Sequence, residues 1–448
     1  MVSISKVYFE EIEDRLDSRF YQESYLEPIR KLKKKGIPII NLGEVIKPTN
    51  GVEIRQYTKS GTPYIRVSDM KSFLVNLNSV KYVNSQVPDK VKLKKGDVLV
   101  SRSGNPGVTS LVSEEIINSI ISSHVIRIEI KDKERLDPNY LVLYLNTWLG
   151  KSQIDRITNG CLVMEINHPS LGLVKVPIIS KTDQIKIKKI LEQAQKKNTD
   201  AIKKIEEAKK IFIKELGIKE GKIKEDKFYK VFSNELNDIL TPRYYYPLYI
   251  NTIKEIEKKF KIVKLHEIAE ITRGDEPGSE SYKNFVSKED SDVPFIRTSD
   301  LVNYEIDNYP DFYLPKKTSN LLNQDLKEED ILFTKDGKIG LSAIFTQADS
   351  CLIASGLAKI RLKKYSPYYI FIVLNTFCGL YQAKQNIVIA ATLPHLNPER
   401  LGEMKIPLIA EEKQKEISKL VRDAYILKSE KKRLIKGAIE KVEKLIKV

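Results

Sequence analysis

The stretch "GTPYIRVSDM" (61–70) reads as a turn, a short β-rich run and a polar corner. "DVPFIRTSDL" (292–301) repeats its Pro, Ile, Arg, Ser and Asp in the same order, 231 residues later. The repetition continues outward. "KKGDVLVSRSGNPG" (94–107) matches "KEEDILFTKDGKIG" (327–340), and "DPNYLVLYLNTWLG" (137–150) matches "SPYYIFIVLNTFCG" (366–379). "INHPSLGLVKVPII" (166–179) matches "LNPERLGEMKIPLI" (396–409), and Gln184 matches Gln414. The offsets of these blocks stay between 229 and 233, and "DSRFYQESY" (17–25) resembles "TPRYYYPLY" (241–249). Ordered blocks at a near-constant offset are an internal duplication of one unit.

Within each copy, "PYIRVS", "DVLVS" and "HVIRIEI" (124–130) are β-rich runs bounded by turn residues and are predicted strands. Asp137-Pro138 and Ser366-Pro367 place a capping residue before a proline at the first helical position, so a helix of about 15–20 residues is predicted after each. "VKVPII" and "MKIPLI" close each globular part with a short strand and a proline break.

Each copy then turns helical. Between Asp183 and Leu216, and again from Gln414 onward, apolar residues recur in steps of three and four. Ile190, Leu191, Ala194 and Ile205 mark the first stripe; Leu420, Val421, Ala424, Leu434 and Ile435 mark the second. About 33 residues rising 1.5 Å each give a rod of about 50 Å. A lone rod would expose its stripe to water, and the simplest partner is the other rod; packing on its own globular unit is the alternative. The predicted fold class is α+β: two duplicated mixed α/β domains separated by two long helices. These pair as an antiparallel coiled coil with pseudo-twofold symmetry. The expected divisions are 1–180, the central helix 181–217, a linker and helical arm 218–259, 260–409, and the C-terminal helix 410–448.

Composition narrows the function. The chain has 448 residues, 41% hydrophobic and 30% charged, which is a globular composition. No apolar run is long enough to span a bilayer, and the N-terminal stretch is too acidic for a signal peptide, so a cytoplasmic protein with no membrane partner is expected. Cys161, Cys351 and Cys378 are scattered, against both a disulfide framework and a zinc site. The net charge of +16 suits nucleic acid or acidic membranes; a Lys- and Ile-rich genome bias gives the same number.

Catalytic signatures are missing from the sequence. His124, His168, His266 and His395 form no ligand spacing, and His168 and His395 read as surface turn residues. No Walker loop, nucleophile elbow or Asn/Asp-Pro-Pro-aromatic tetrad is present. No metal and no cofactor of its own is expected for this chain.

Binding remains, and the duplicated polar corners are its candidates. One turn carries Arg102, Ser103 and Asn105; its counterpart carries Lys335, Asp336 and Lys338. Such side chains bond guanine or adenine edges in a major groove, or hold phosphates without reading sequence. The turns share a frame and differ in side chains, as two modules reading different sequences would; drift on a duplicated surface is the alternative. The stretches "NGVEIRQYTKSG" (50–61) and "RGDEPGSESYKN" (273–284) diverge strongly. They offer Arg55, Gln56 and Lys59, and Arg273, Ser279, Ser281 and Lys283. Arg66 and Arg297, Ser68 and Ser299, and Asp69 and Asp300 are identical between copies, so they cannot tell two half-sites apart. The aspartates read as turn formers, and the arginines as internal partners in preference to phosphate contacts.

This layout resembles the DNA specificity subunit of type I restriction-modification systems, over nearly the whole chain. The exit "LNPERLGEMKIPLIAEEKQKEI" (396–417) is similar to the family's Leu-Asn…Leu…Ile-Pro-Leu…Glu-Gln…Ile pattern. In "INHPSLGLVKVPIISKTDQIKI" (166–187), Asp183 stands where the family has Glu. The resemblance implies a non-catalytic subunit with two target-recognition domains, each reading one half of a bipartite double-stranded DNA target. It implies paired helices that set the spacer and dock two methyltransferase subunits, which supply S-adenosylmethionine and methylate adenine. It further implies two restriction subunits that add ATP- and Mg-dependent cleavage. A single-chain methyltransferase or restriction enzyme, a two-module adaptor bridging protein partners, and a degenerate specificity subunit from a silent locus are the rival readings.

Overall fold

The computed structural model describes residues 5–13, 15–84, 91–159, 164–218, 228–236, 239–278, 292–320, 322, 324–390 and 393–446. The chain forms two compact units: Met1–Gln195 with Arg433–Val448, and Lys196–Lys432. Each long helix contributes one part to each unit.

The first unit is built on a four-stranded antiparallel sheet in the order Ile46–Asn50, Val125–Ile130, Val98–Ser101, Thr109–Leu111. Val98, Leu99, Val100 and Ser101 are all fully buried, so this strand is covered on both faces. A smaller sheet sets Thr62–Ile65 between Lys81–Val83, antiparallel, and Ile120–Ile121, parallel. The exit strand Lys175–Pro177 pairs with Ile39–Asn41 near the start of the domain. The second unit repeats this topology. Its main sheet runs Ala269–Arg273, Leu357–Leu362, Ile331–Thr334, Ser342–Ile344. Val293–Ile296 lies between Tyr313–Leu314 and Leu352–Ile353, and Lys405–Leu408 pairs with Lys261–Lys264.

The opening strands of the copies, Ile46–Asn50 and Ala269–Arg273, are 223 residues apart, as are the divergent stretches that begin at 50 and 273, whereas the later blocks are 229–233 apart. The difference falls in the divergent loop that follows each strand. The helix predicted after Asp137 departs from the sequence reading: it is two helices, Pro138–Leu145 and Trp148–Ile157. Asn146 ends the first by donating from Nδ2 to the Val142 and Thr109 carbonyls, and Thr147 Oγ1 caps the second by accepting from the Gly150 N–H at 3.2 Å. A Cβ on Gly150 would lie 2.0 Å from the Tyr144 carbonyl oxygen. The second copy breaks at the same place, into Pro367–Leu374 and Phe377–Gln385, with Asn375 Nδ2 donating to the Phe371 carbonyl at 2.8 Å. Asp137 caps as predicted, whereas Ser366 makes no cap bond.

The repeated exits hold the globular domains to their helices. Tyr140 donates its hydroxyl proton to the Pro177 carbonyl at 2.6 Å, and Tyr369 does the same to Pro407 at 2.5 Å. Gln184, buried near the start of the helix Lys181–Leu216, accepts from the Asp137 N–H at 2.8 Å and donates to the Arg135 and Ile179 carbonyls. Its counterpart Gln414, in Glu411–Leu445, donates to the Ile409 carbonyl at 2.8 Å.

The stripes of the long helices are buried along both units. In the first, Leu191, Ala194 and Ile435 are buried while Ile190 and Leu434 are half-buried. In the second, Ile205, Val421 and Ala424 belong to one core with Tyr369, Phe371 and Ile406, and Leu420 packs against it. The helices therefore share a core with the second globular domain as well as with each other. Lys197 pairs with Glu430 and Lys204 with Asp423, so here the helices run antiparallel.

A polar cluster sits inside this core. The hairpin Leu301–Val302/Glu305–Ile306 turns through Asn303 and Tyr304, both at positive φ (49° and 64°), a two-residue turn whose carbonyls need partners. Lys428 Nζ donates to the Asn303 carbonyl at 2.8 Å, and Tyr425 Oη donates to the Tyr304 carbonyl at 2.7 Å. Lys431 pairs with Glu305, Lys428 stands 4.0 Å from the same carboxylate, and Lys432 pairs with Asp349. Burial pushes the Glu305 carboxyl up, but Lys428, Lys431 and Lys432 outweigh it and hold the group at about 2. Burial pulls Lys428 down to about 7 against the attraction of Glu305. Lys432 is held above its usual value by Asp349, against the cost of its own burial.

Two stability predictions follow from these contacts. Replacing Gln184 with Ala leaves the half-buried Asp137 N–H, the Arg135 carbonyl and the buried Ile179 carbonyl without this partner, and is expected to cost about 1–3 kcal/mol, read as a lower midpoint in chemical denaturation. The folded-state pKa of Lys428 lies below its unfolded value, so between about pH 7 and 10 the unfolded chain binds the extra proton and stability rises with pH. Lys428→Met should remove this rise, of up to about 1 kcal/mol per pH unit, from the pH dependence of thermal unfolding; a difference between the two proteins that does not change with pH would contradict the assignment.

Candidate nucleic-acid interface

The two candidate turns are built alike. Ser101 Oγ donates to the Asn105 carbonyl at 2.5 Å and accepts from the Val108 N–H; Thr334 Oγ1 donates to the Lys338 carbonyl at 2.6 Å and accepts from the Leu341 N–H. Gly107 and Gly340 close the turns at positive φ, against Ile154 and Leu380; a Cβ there would lie 2.2 and 2.8 Å from those side chains. On this shared frame the charges are wired differently. In the first copy, Arg102 pairs with Glu165, and the Ser103 hydroxyl lies 2.8 Å from His124 Nδ1. In the second, Lys335 pairs with Asp336 at 3.0 Å, and Asp336 lies 2.9 Å from His395 Nδ1. Arg102, Ser103, Lys335 and Asp336 are thus held by these neighbours; Asn105 and Lys338 are exposed at matching tips of the two turns.

In the first copy, the divergent loop meets its turn. Glu53, Tyr57, Arg66, Ser68, Ser103 and His124 line an open cleft of about 340 Å³. Arg55, Gln56 and Lys59 are exposed on this loop, with Arg55 3.6 Å from Glu53. In the second copy Arg273 is exposed at the start of its loop; Ser279, Ser281 and Lys283 lie outside the described residues.

The identical residues act inside the fold. Asp69 accepts both Nε and an outer N–H of Arg66, at 3.0 and 2.9 Å, which raises the Arg66 pKa. The Arg66 guanidinium lies 5.8 Å from the Tyr57 ring centroid, so this internally paired cation also forms part of the cleft wall. Arg297 lies 3.6 Å over the Phe312 ring, and Asp300 accepts from the Arg297 N–H. The histidines make local contacts: His168 Nε2 is 2.8 Å from Asn50 Oδ1.

Sequence reading missed one duplicated feature. Gly51 and Gly274 pass so close to the parallel strand beside them that a Cβ would lie 2.1 and 2.4 Å from a carbonyl oxygen. Two residues on, Glu53 accepts from the Ser123 hydroxyl at 2.7 Å, and Glu276 from the Ser355 hydroxyl at 2.6 Å. The hydrogen bond from Ser123 holds the Glu53 carboxyl below its usual pKa. A Gly-x-Glu pair thus pins the base of each divergent loop. Its signal, "NGVE" and "RGDE", opens the two stretches that the sequence reading took only for their divergence.

A frame repeated twice, with pinned loop bases and differing polar surfaces, defines a two-module binding scaffold. The family model of the type I restriction modification DNA specificity domain matches residues 35–211 and again 257–443, and the chain belongs to this family. It is thus a type I DNA specificity subunit, a class that is itself non-catalytic. Among its relatives, a putative type I restriction enzyme MjaX specificity subunit from Methanocaldococcus jannaschii is 26% identical over 422 residues, covering 90% of each chain. Similar solved structures include the S subunit of a type I system from M. genitalium, with 13% identity, 91% and 94% of the chains covered and a TM-score of 0.33. Another is the HsdS subunit from Thermoanaerobacter tengcongensis, with 17% identity, 91% and 96% covered and a TM-score of 0.29. Among the described residues no helix is long and apolar enough to cross a membrane.

If the loop around Arg55 and Lys59 meets phosphates, Arg55→Ala with Lys59→Ala should weaken DNA binding by the assembled complex. The slope of log affinity against log salt should fall by about 2, near 1 per lost contact. A salt titration with an unchanged slope would remove these two residues from the interface.

Proposed function

We propose that this chain, in the cytoplasm, directs a type I restriction-modification complex to a bipartite double-stranded DNA target. Each recognition domain reads one half-site, and the two long helices set the spacer between them. Two methyltransferase subunits dock on the chain and bring S-adenosylmethionine; base extrusion and methyl transfer to adenine belong to their pockets. Two restriction subunits join with ATP and Mg. The chain itself holds no cofactor in this reading, and contributes position through phosphate contacts and base-edge readout.

The observation that carries the proposal is one frame, present twice, whose buried parts agree while its exposed loops do not. Two modules with the same scaffold and different surfaces suit two unlike half-sites, and two similar helical surfaces suit two copies of one partner.

The test is a genome-wide map of methylated adenines in cells carrying this chain with its methyltransferase, against cells lacking it. A split motif that vanishes with the chain is the expected result. Exchanging residues 37–178 for those of another specificity subunit should alter one half-motif only, and inserting about one heptad into either helix should alter the spacer with both halves kept. A change in both halves would sink the modular reading, and an unchanged spacer would remove the helices as the ruler. Methylation that is the same with and without the chain would leave an inactive specificity subunit or the adaptor reading, and DNA binding by the purified assembly separates them: steep salt dependence marks the former, insensitivity to salt the latter.

A further inference from the structure

The hairpin Leu301–Ile306 reaches both long helices. From the central helix, Glu206 accepts from the Tyr304 hydroxyl at 2.7 Å, and Lys209 Nζ lies 3.1 Å from the same oxygen. From the C-terminal helix, Tyr425 and Lys428 take the two turn carbonyls, and Lys431 takes the Glu305 carboxylate. Lys428 and Glu305 are 1% and 2% exposed, so these charges sit within packed protein.

Burying such a cluster is a poor way to gain stability, because desolvating ammonium and carboxylate groups offsets much of their attraction. What a buried polar cluster does supply is register. An apolar contact tolerates sliding and rotation by small amounts, whereas a lysine that must meet one carbonyl and one carboxylate permits a single setting. Tyr304, held at positive φ and bonded to the other helix, adds a second fixed point. Counting from Gln184 and Gln414, the first copy has Asn198, Ala201 and Ile202 where the second has Lys428, Lys431 and Lys432. The three-lysine set belongs to the second copy alone.

We propose that this hairpin and its lysines form a keyed joint that fixes the rotational setting of the second recognition domain on the helix pair, and thereby restricts the complex to a single spacer length. Glu305, Lys428, Lys431 and Tyr304 are positioning residues in this role and touch no DNA. The proposal rests on the specificity-subunit reading given above.

The test replaces the cluster with apolar side chains of similar size, Glu305→Leu, Lys428→Met and Lys431→Leu together, in the full chain assembled with its methyltransferase. Adenine methylation is then measured on a DNA library carrying both half-sites at spacers from three base pairs shorter to three longer. Wild type should methylate one spacer. The joint variant, at matched thermal stability, should keep both half-sites but methylate the neighbouring spacers to at least a tenth of the preferred one. A folded variant that keeps a single spacer overturns the proposal.

A second measurement does not depend on DNA. Spin labels carried by unnatural side chains at Lys317 in the domain and Lys419 on the C-terminal helix, both exposed, report the distance between these elements. The distribution should broaden in the joint variant, and also in the milder Tyr304→Phe should the triple variant fail to fold. An unchanged distribution in a folded variant overturns the joint. A wild-type complex that methylates no split target overturns the specificity reading itself, while the spin-label result still decides whether the hairpin fixes the domain on the helices.

Discussion

Two carbonyl groups at a hairpin turn, those of Asn303 and Tyr304, organise the second unit. A turn with two consecutive residues at positive φ points its carbonyls away from the sheet, and a buried carbonyl without a donor costs about 1–3 kcal/mol. The donors come from Lys428 and Tyr425, more than 100 residues further along the chain. Tyr425 is itself part of the hydrophobic core, where it packs edge-on against Phe371, and its hydroxyl also accepts the Ile344 N–H. One side chain thus joins helix, hairpin and sheet edge. The C-terminal helix does not lie on a finished domain; it completes one.

The same logic explains the repeated glutamines. An amphipathic helix that buries its stripe in a domain still has to begin at a defined place. Gln184 meets the Asp137 N–H and the Ile179 carbonyl; Gln414 meets the Ile409 carbonyl, the residue equivalent to Ile179. Tyr140 and Tyr369 hold the exit strands just before these points. Strand, proline and glutamine form one latch, made twice. The latch also accounts for the glutamine of the exit pattern, whose amide meets a main-chain carbonyl that no apolar residue could serve.

Sequence reading recovered what local pattern determines. β-rich blocks between Gly and Pro showed the strands, and the three–four spacing from Asp183 and Gln414 showed the helices to within three residues at their starts. It failed where a long-range contact decides. The run Pro138–Ile157 is apolar enough for one helix, yet Asn146 bonds the Thr109 carbonyl and a second cap at Thr147 starts a new one. Nothing local marks Lys428, Lys431 and Lys432 as anything but helix-surface lysines, because only Glu305 and Asp349 show where those charges go. The candidate surface was legible in part. Arg55, Gln56 and Lys59 are exposed as expected, and the internal role of Arg66 is borne out by Asp69. Tyr57, Glu53 and His124 were not singled out, since the cleft they share joins segments far apart in sequence.

The divergence between the copies has a physical shape. Where the frame needs a particular atom, the copies agree: Ser101 and Thr334 both offer a hydroxyl at the turn, and Gly51 and Gly274 both omit a Cβ. Where a charge stands on that frame, they differ, and each charge brings its own counter-charge: Glu165 for Arg102, Asp336 for Lys335. A cation held by a fixed neighbour loses less side-chain freedom on binding than a loose lysine would, so its remaining donors are presented at lower entropic cost. The counter-charge also limits what those donors can meet, because an anion approaching Arg102 must accommodate Glu165 as well. Under the proposed function, in which these turns meet DNA, changing a module's preference takes exchange of a pair and not of one residue, and the two copies differ in that paired way.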